Sequence, residues 1–502
     1  MSKSAALLLV LVFLTASCLI AFKPVSAASP NSWASKAPMP QGKSNFGLAM
    51  VNGKIYAIGG TIRNYVDSWT RGFSGTSETV NTNYEYDPEA DRWTIKPPMP
   101  APRYSFATAV YEDSIYCIGG VLNLVSYTGG VEVITAAVEA FNLSTNKWEN
   151  KTSMPTRRGY FATMVYEDNI YCIGGGINEV YNIATDTWQT KAPMPFNGSI
   201  RTANVVNGEL YLTFDSLMYV YNPATDSWLT KAPIQTENYG TVSAVIGNKI
   251  YVISASLTQI YDTETDKVSL GAPPPPDYNG GIALATTGEI ALKRIYLLDM
   301  RTTLPVGVPQ ADVTLQVYDP EADSWVIGAK MPTARVNVGF AVVNEKIYAI
   351  GGNTATTSPG VYPGYPTISV MQYATNEEYT PIGYGTAPPV IDVASPENRN
   401  YTSSEAQLNF TVNRHVEWMR YSLDGKENVT ITGNTTLTGL PNGNHNVTVY
   451  ATDEAGNIGS SETIYFNVEV LAPFPTILII ASVVTVAVIS IGLLVYFKKR
   501  KH

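Results

Sequence analysis

The sequence predicts an all-β protein: a seven-bladed β-propeller, followed by a small β-sandwich and a single transmembrane helix. Three observations support this prediction. A short motif built around an Ile-Tyr pair or its equivalent recurs seven times along the chain. Only 15% of the residues are charged, whereas tyrosine, glycine and proline are abundant, which favours strands and tight turns over long helices. Near its C-terminal end the chain contains a long run without charged residues.

The repeat recurs every 40 to 60 residues, a period typical of propeller blades with about four strands each. Each motif tyrosine is followed by a second aromatic residue, a short turn rich in Asp or Asn, and in most units a tryptophan, as in Tyr86 and Trp93. The fifth unit has Val268 in place of this tryptophan, and the seventh is irregular around Tyr379. The motif tyrosines are Tyr56, Tyr116, Tyr171, Tyr211, Tyr251, Tyr296 and Tyr348.

The segments "GKIYAIGG", "EYDPEADRW" and "PPMPAPR" follow one another in the first unit, and in this order they resemble the kelch repeat. The resemblance covers residues 31–383 and implies a seven-bladed kelch propeller. Gly59 and Gly60 are expected to provide positive φ and a close chain approach. Units four, five and six replace the glycine pair with "LTFD", "ISAS" and "LLDM", so their turns must form by other means.

The N-terminal segment "SWASKAPMP" has the Trp-to-Pro spacing of a blade end, although no blade precedes it. We therefore expect Trp33 to lie on the outer strand of blade seven and to close the ring. The segment "EEYTPIG" at the end of the propeller is the alternative closing strand.

The loops between the second and third strands of the blades differ in length. Those after Gly60, Gly120, Asp299 and Gly352 are long, and those of blades three, four and five are short. Blades six, seven, one and two are contiguous in a closed ring. The long loops are therefore expected to form a wall on one side of this face and to leave an asymmetric groove beside it.

Candidate ligand-binding residues lie on the same face, because the connections between blades open there too. Arginines follow the Met-Pro motifs, and further aromatic and arginine residues occupy the long loops. This composition suits a sugar or peptide ligand, since arginine binds carboxylates and stacks on aromatic rings. The alternative is that the arginines brace the loops against neighbouring Asp or Glu. The candidates are Arg103, Arg157, Arg158, Arg201, Arg335, Tyr65, Trp69, Arg71, Tyr127, Tyr362 and Tyr365.

Several kinds of chemistry are excluded or disfavoured. The formal net charge of −9 argues against nucleic-acid binding. The histidines of the sequence, His415, His445 and His502, all lie beyond the propeller, which excludes the copper chemistry known on this fold and disfavours zinc catalysis. The recurring Asp residues of the turns are expected to be structural, with calcium binding as the alternative. We expect no metal, no cofactor and no enzyme activity.

A second module is predicted at 387–471, where alternating strand patterns are separated by Gly, Pro and Asn. Its segments "YSLDG" and "VYATDEAGN" resemble immunoglobulin-like repeats of archaeal and other prokaryotic surface proteins. The resemblance implies a β-sandwich stalk, whose core would contain Trp418. Glycosylation is expected at the Asn-X-Ser/Thr sequons. These are Asn142, Asn150, Asn197, Asn400, Asn409, Asn428, Asn434 and Asn446.

Both ends of the chain resemble targeting signals. Residues 1–27 are expected to be a secretory signal peptide, and "TASC" within them is a weak match to a lipoprotein box. Residues 474–497 are uncharged and are expected to cross the membrane, with 498–502 as a basic cytoplasmic tail. The resulting prediction is a single-pass plasma-membrane protein with an extracellular N-terminal ectodomain.

Two of the three cysteines, Cys117 and Cys172, occupy the same position of the "IYCIGG" motif in neighbouring units. A disulfide is the alternative in an exported chain. Equivalent positions of adjacent blades are nevertheless expected to lie beyond the Cα separation of about 7 Å that a disulfide allows. We therefore expect two buried free thiols.

Two functional hypotheses follow. The first is a membrane-anchored extracellular recognition or adhesion protein whose propeller face binds a glycan, a peptide or an envelope protein. The second is an extracellular carbohydrate-active enzyme similar to a sugar mutarotase or epimerase, because a sialic-acid mutarotase resembles this architecture and works without a metal. The lack of propeller histidines and of a clear acid/base pair favours the first.

Overall fold

The computed structural model contains two compact units, Met1–Tyr384 and Gly385–His502. The described residues are 29–68, 72–122, 132–196, 198, 200–214, 216–236, 240–276, 278, 281–288, 290–299, 313–358, 367–453, 455–470 and 476–500. The division between the units falls inside the segment 384–386 that separates the predicted propeller from the predicted stalk.

The first unit contains seven four-stranded antiparallel sheets, the blades. The first three blades are continuous in sequence apart from their loops. Blade one comprises Gly47–Val51, Lys54–Ile58, Asn83–Asp87 and Arg92–Lys96. Blade two comprises Ala107–Tyr111, Ser114–Ile118, Val138–Asn142 and Lys147–Lys151. Blade three comprises Ala162–Tyr166, Asn169–Gly174, Ile177–Asn182 and Thr187–Thr190.

The remaining blades follow the same strand order, except that the fourth strand of blade seven comes from the N-terminal end of the chain. Blade four comprises Thr202–Val206, Glu209–Phe214, Leu217–Asn222 and Ser227–Pro233. Blade five comprises Val242–Ile246, Lys249–Ile253, Thr258–Asp262 and Lys267–Leu270. Blade six comprises Gly281–Thr287, Arg294–Asp299, Thr314–Asp319 and Ser324–Lys330. Blade seven comprises Gly339–Val343, Lys346–Ile350, Asn376–Thr380 and the N-terminal strand Ser32–Lys36.

The first strand of each blade lies against the first strands of both neighbours, and the contact between blades seven and one completes the ring. The strand Ser32–Lys36 pairs with Asn376–Thr380 in a register that sets Trp33 opposite Tyr379. The prediction that the N-terminal segment closes the ring is confirmed. The alternative strand "EEYTPIG" is also used, because it supplies the third strand of the same blade.

In most blades an aromatic residue and a turn carboxylate connect the blade to the one before it. Trp228 Nε1 donates to the carbonyl oxygen of Ala192 at 2.9 Å, and Asp226 Oδ1 accepts from the Ala192 amide at 2.8 Å and from Tyr221 Oη at 2.7 Å. Asp226 has a φ of 47°, a left-handed conformation that Asp tolerates better than most residues. The turn carboxylate is therefore a structural clasp, as predicted.

The glycine pair of blade one has φ values of 60° at Gly59 and 103° at Gly60. A Cβ atom on Gly60 would lie 2.7 Å from the carbonyl oxygen of Ser44. Both predicted reasons for glycine, positive φ and close approach, are therefore confirmed at this turn.

Two of the long loops fold into hairpins that pair with each other. The loop of blade one forms Thr61–Ser68 and Gly72–Thr79, and the loop of blade seven forms Asn353–Ser358 and Thr367–Gln372. Ile368 and Val370 of the second hairpin pair with Asp67 and Tyr65 of the first, which gives an eighth four-stranded sheet across the ring closure. The sequence predicted the long loops but not this pairing.

The second unit consists of two sheets. One contains Ile391–Ser395, Ala406–Val412 and Thr435–Leu437. The other contains Asn400–Tyr401, Ile464–Val468, Gly443–Thr452, Trp418–Leu423, Val429–Ile431 and Ile458–Ser460. Leu408, Leu437, Val447 and Val449 form the centre of its core. Trp418 lies outside this core and contacts the guanidinium group of Arg420, contrary to prediction. The immunoglobulin-like resemblance and the stalk role remain predictions.

The described part of the chain has one helix, Thr476–Lys499. Crossing the hydrocarbon core takes about 20 consecutive apolar residues in a helix. Within the ranges given above, no helix combines that length with the necessary apolarity. The predictions of a transmembrane helix at 474–497, of a single-pass membrane partner with a cytoplasmic tail at 498–502, and of a plasma-membrane location with an extracellular ectodomain are therefore wrong. These predictions relied on the absence of charged residues from 474–497. A membrane span requires that absence, but the absence alone does not make a segment span a membrane. The predicted signal peptide, 1–27, lies outside the described residues.

Candidate functional site

Three of the predicted arginines form buried ion pairs with glutamates of the third strand of the same blade. Arg103 Nη2 lies 2.6 Å from Glu139, and Arg335 Nη1 lies 2.5 Å from Glu377. Arg103 and Arg335 have no exposed surface, and each also donates to backbone carbonyl oxygens of its own blade. Burial raises the pKa of Glu139, although the charge of Arg103 opposes the shift. These contacts support the alternative role, in which the arginines brace the blade connections.

Blade one has Lys43 at the equivalent position, four residues after the methionine of the Met-Pro motif. Lys43 is fully buried and has no carboxylate within ion-pair distance among the described residues. Its Nζ donates to the carbonyl oxygen of Ala57 at 3.0 Å and to Thr82 Oγ1 at 3.0 Å, and it lies 4.5 Å from the ring centre of Tyr84. Burial lowers the pKa of Lys43 well below its usual value. This repeat position therefore holds a basic side chain in four blades, but the groups that it contacts differ between Lys43 and the three arginines.

Of the other predicted ligand residues, three are described by the structure and five are not. Arg157 is exposed, and Arg201 is half-buried with its amide donating to the carbonyl oxygen of Thr213 at 2.9 Å. Tyr65 lies on the hairpin strand Thr61–Ser68. The remaining candidates, Trp69, Arg71, Tyr127, Tyr362 and Tyr365, lie outside the described residues.

A cavity of about 650 Å³ opens between blades three and four on this face, and we call it the loop-face pocket. Its lining includes Arg158, Tyr160, Phe161, Ile200 and Arg201. Blades three and four have short loops, so the pocket lies on the low side of the ring. The long loop of blade two ends beside it, because Glu132 from that loop accepts a hydrogen bond from Tyr160 Oη at 3.3 Å. The asymmetric groove remains a prediction, because parts of all four long loops lie outside the described residues.

Tyr160 is the residue of this pocket that the sequence analysis missed. Its φ is 57°, a conformation that is strained for a bulky side chain, and 67% of its surface is exposed. The equivalent positions of blades one, two and seven hold Asn45, Ser105 and Asn337, small polar residues that also have positive φ. A comparison of the repeats at this position would have revealed Tyr160, because it is the one large residue among small polar ones.

The pocket combines two arginines with aromatic and aliphatic surface. Arg158 forms an ion pair with Glu179, while its Nε is buried without a hydrogen-bond partner among the described atoms. Arg103 Nε in blade two is buried without a described partner in the same way, so this atom is a feature of the repeat position and not of the pocket. With Arg157 exposed beside it, the pocket suits the binding of an acidic group next to an apolar one.

The two described cysteines lie inside the blades, and the described sequons are dispersed over both units. Cys117 and Cys172 are buried and unbonded. Asn150, Asn400, Asn428 and Asn434 are exposed, and Asn142, Asn409 and Asn446 are partly buried. Asn197 lies outside the described residues, and glycosylation remains a prediction for all eight positions.

The fold is a closed seven-bladed propeller. The kelch motif model matches residues 42–100 and 102–155, so this part of the chain contains kelch repeats. It is 34% identical over 146 residues to Kelch-like protein terF of Aspergillus terreus, which covers 29% of this chain and 30% of the relative.

Two further relatives match shorter parts. Kelch repeat and BTB domain-containing protein 12 of Homo sapiens is 29% identical over 130 residues, 25% of this chain and 20% of the relative. Beta-scruin of Limulus polyphemus is 35% identical over 92 residues, 18% of this chain and 10% of the relative. The chain spans less than a third of the length of each of these three relatives.

Proposed function

We propose that this chain is a recognition protein that binds an acidic segment of a partner protein in the loop-face pocket. The observation that carries this function is Tyr160, an exposed aromatic side chain held by strained backbone at the rim of a cavity of about 650 Å³. Strained residues persist where the surroundings hold them, and they concentrate at binding sites. Tyrosine and arginine are also the residue types that dominate protein interfaces energetically.

The charge of the pocket favours a carboxylate in the bound segment. Arg158 and Arg201 line the pocket, and Arg157 lies next to Arg158 in sequence. The carboxylates beside these three arginines are Glu179, which pairs with Arg158, and Glu132, which accepts from Tyr160. A carboxylate bound by a guanidinium group forms short, charge-assisted hydrogen bonds. Phe161 and Ile200 provide apolar surface for a neighbouring side chain of the ligand.

A glycan or envelope-protein ligand is a narrower hypothesis from the sequence, and a mutarotase-like activity is its enzymatic alternative. We favour a protein ligand because the relatives are kelch proteins and because acid/base groups do not converge in the loop-face pocket. Screening reducing sugars for turnover by the purified chain tests the enzymatic alternative, and any catalysed interconversion would support it.

Selection of peptides from a random phage-displayed library on the purified chain tests the proposal. We expect enrichment of sequences with Asp or Glu next to an aliphatic or aromatic residue. A selection that yields no enriched peptide, or only basic peptides, would overturn the proposed function. The Tyr160→Ala protein serves for counter-selection, and Tyr465→Ala is its matched control, since Tyr465 is 62% exposed in the second unit.

A further inference from the structure

Blades one and seven each contain the same charge network around a buried glutamate, near the end of the blade opposite the loop-face pocket. In blade one, Tyr56 Oη donates to Glu85 at 2.5 Å, and Glu85 lies 3.6 Å from Lys54 and 2.8 Å from Lys96. In blade seven the equivalent residues are Tyr348, Glu378, Lys346 and Lys36. Their distances to Glu378 are 2.7 Å from Tyr348 Oη, 2.8 Å from Lys346 and 3.2 Å from Lys36. The network contains a tyrosine, a carboxylate and two ammonium groups.

Blade three keeps half of this network. Tyr171 pairs with Val180 in the register in which Tyr56 pairs with Glu85, so an aliphatic residue replaces the carboxylate. Asn169, two residues before Tyr171, replaces the first lysine. Lys191 is retained at the position of Lys96, three residues after the blade tryptophan. Blade three therefore lacks one carboxylate and one ammonium group, those of the Lys54–Glu85 pair.

A cavity of about 530 Å³ occupies this place, and we call it the blade-three groove. Asn169, Tyr171, Val180 and Lys191 all line it. Among the described residues, Tyr171 Oη has no hydrogen-bond partner and Lys191 has no carboxylate within ion-pair distance. In blade two, by contrast, Lys151 at the same position as Lys191 is bound to Glu149 at 2.8 Å. Two groups that bind a carboxylate elsewhere in the ring thus face an open cavity here.

We propose that the blade-three groove binds the zwitterionic part of an α-amino acid. Its carboxylate would take the place of Glu85, bound by Tyr171 and Lys191, and its ammonium group would take the place of the Lys54 ammonium. In blades one and seven these two charged groups are 3.6 Å and 2.8 Å apart. An α-amino acid carries both groups on one carbon atom, so it matches this separation.

The remaining charges of the groove favour a zwitterion over a simple carboxylate. Glu167 and Glu209 also line the groove, and Lys191 is close enough to Asp226 to help lower the pKa of that carboxyl, after the hydrogen bonds from Tyr221 and the Ala192 amide. A ligand with a carboxylate alone would add negative charge to an acidic site. A ligand ammonium group offsets that charge. The neighbouring Thr and Gln side chains of the outer strand suit a polar amino-acid side chain.

The test compares L-glutamine with two matched compounds, glutaramate, which lacks the amino group, and 4-aminobutanamide, which lacks the carboxylate. Binding is measured by saturation-transfer NMR and by calorimetry on the full chain. We expect L-glutamine to bind at least tenfold more tightly than either comparison compound. Equal binding of all three, or no binding of any, would overturn the proposal.

A double variant that rebuilds the missing network provides a second arm. Asn169→Lys with Val180→Glu supplies the two groups found in blades one and seven, and we expect a folded protein in which L-glutamine binding is at least tenfold weaker. Tyr171→Phe should also weaken binding, whereas Tyr116→Phe, the equivalent change in blade two, should leave it unchanged. Unaltered binding in both the double variant and Tyr171→Phe would overturn the proposal. The groove lies at the opposite end of the strands from the loop-face pocket. The proposal of amino-acid binding is therefore tested independently of the proposed function.

Discussion

Tyr379 Oη donates a 2.8 Å hydrogen bond to Asn31 Oδ1 across 348 positions of sequence, and this contact closes the propeller. Asn31 Oδ1 also accepts from the Ala329 amide of blade six at 2.7 Å. Trp33 completes the arrangement, with its ring centre 5.1 Å from that of Tyr379 and its Nε1 bonded to the carbonyl oxygen of Ala329. The N-terminal segment therefore reproduces the clasp that Asp226 and Trp228 form within a continuous blade.

Replacing Asn31 with alanine should destabilise the propeller by about 1–3 kcal/mol, because two hydrogen bonds are lost and the Tyr379 hydroxyl is left without its partner. Asn31→Asp should keep wild-type stability, since other blades use Asp at this position. Urea unfolding followed by tryptophan fluorescence measures both, as Trp418 alone lies in the second unit. Equal stability of the alanine and aspartate variants would show that this contact does not hold the ring closed.

Phe141→Tyr should stabilise the propeller by about 1 kcal/mol. Blade two has Phe141 and Asn146 where blade three has Tyr181 and Asp186, whose hydroxyl and carboxylate bond at 2.6 Å. A hydroxyl on residue 141 can donate to Asn146 as Tyr379 donates to Asn31. Tyr181→Phe is the reverse change and should lower the urea midpoint. A lower midpoint for Phe141→Tyr would mean that blade two has no room for the hydroxyl.

The second unit should lose stability as the pH rises above about 6.5, the value of an unperturbed histidine. His445 Nδ1 lies 2.9 Å from Asp424, and its Nε2 lies 2.8 Å from the carbonyl oxygen of Pro441. Two acceptors require both ring nitrogens to donate, which only the protonated ring can do. Burial lowers the pKa of His445, but these two bonds and the charge of Asp424 outweigh it and raise the pKa above 6.5.

The direction of this pH dependence follows from the linkage between protonation of His445 and folding. Because the folded pKa of His445 is raised, its contribution is complete below the unfolded value of about 6.5 and is lost as the pH rises through the folded value. His445→Gln should remove this pH dependence. NMR titration of the imidazole and unfolding between pH 5 and 9 measure both effects, and a folded pKa at or below 6.5 would contradict the assignment.

Cys117 and Cys172 should resist alkylation in the folded chain. Both thiols are fully buried, and burial raises the pKa of each to about 12. Labelling by iodoacetamide should therefore occur only after unfolding, because the thiolate is the reactive form. Cys117→Ser should give the same result for the remaining thiol. Labelling of the native protein at the rate of an exposed thiol would show that the blades open.

Much of the fold could be predicted from the sequence because each blade repeats the same spacing. The motif tyrosines fix the number of blades, and the Trp33 segment shows how the ring closes. The pairing of the two long hairpins could not be predicted, because the register of Val370 with Tyr65 occurs once and has no repeat behind it.

The candidate site was predicted less well, because burial depends on partners distant in sequence. Arg103 and Arg335 lie four residues after the methionine of the Met-Pro motif, one position later than the exposed Arg157, and they pair with Glu139 and Glu377. Each of these glutamates lies two residues before the third-strand aromatic, and a comparison of the units at that position would have indicated the pairing. The sequence showed where the positive charges lie but not which of them were already paired.

The most direct test of the proposed recognition site is the dissociation constant of a selected acidic peptide for the wild-type protein, Tyr160→Ala and Tyr465→Ala. We expect Tyr160→Ala to weaken binding at least tenfold, about 1.4 kcal/mol, because the exposed ring at the pocket rim is lost. Tyr465→Ala should leave the dissociation constant unchanged. If the peptide binds Tyr160→Ala as tightly as it binds the wild-type protein, the loop-face pocket is not the recognition site.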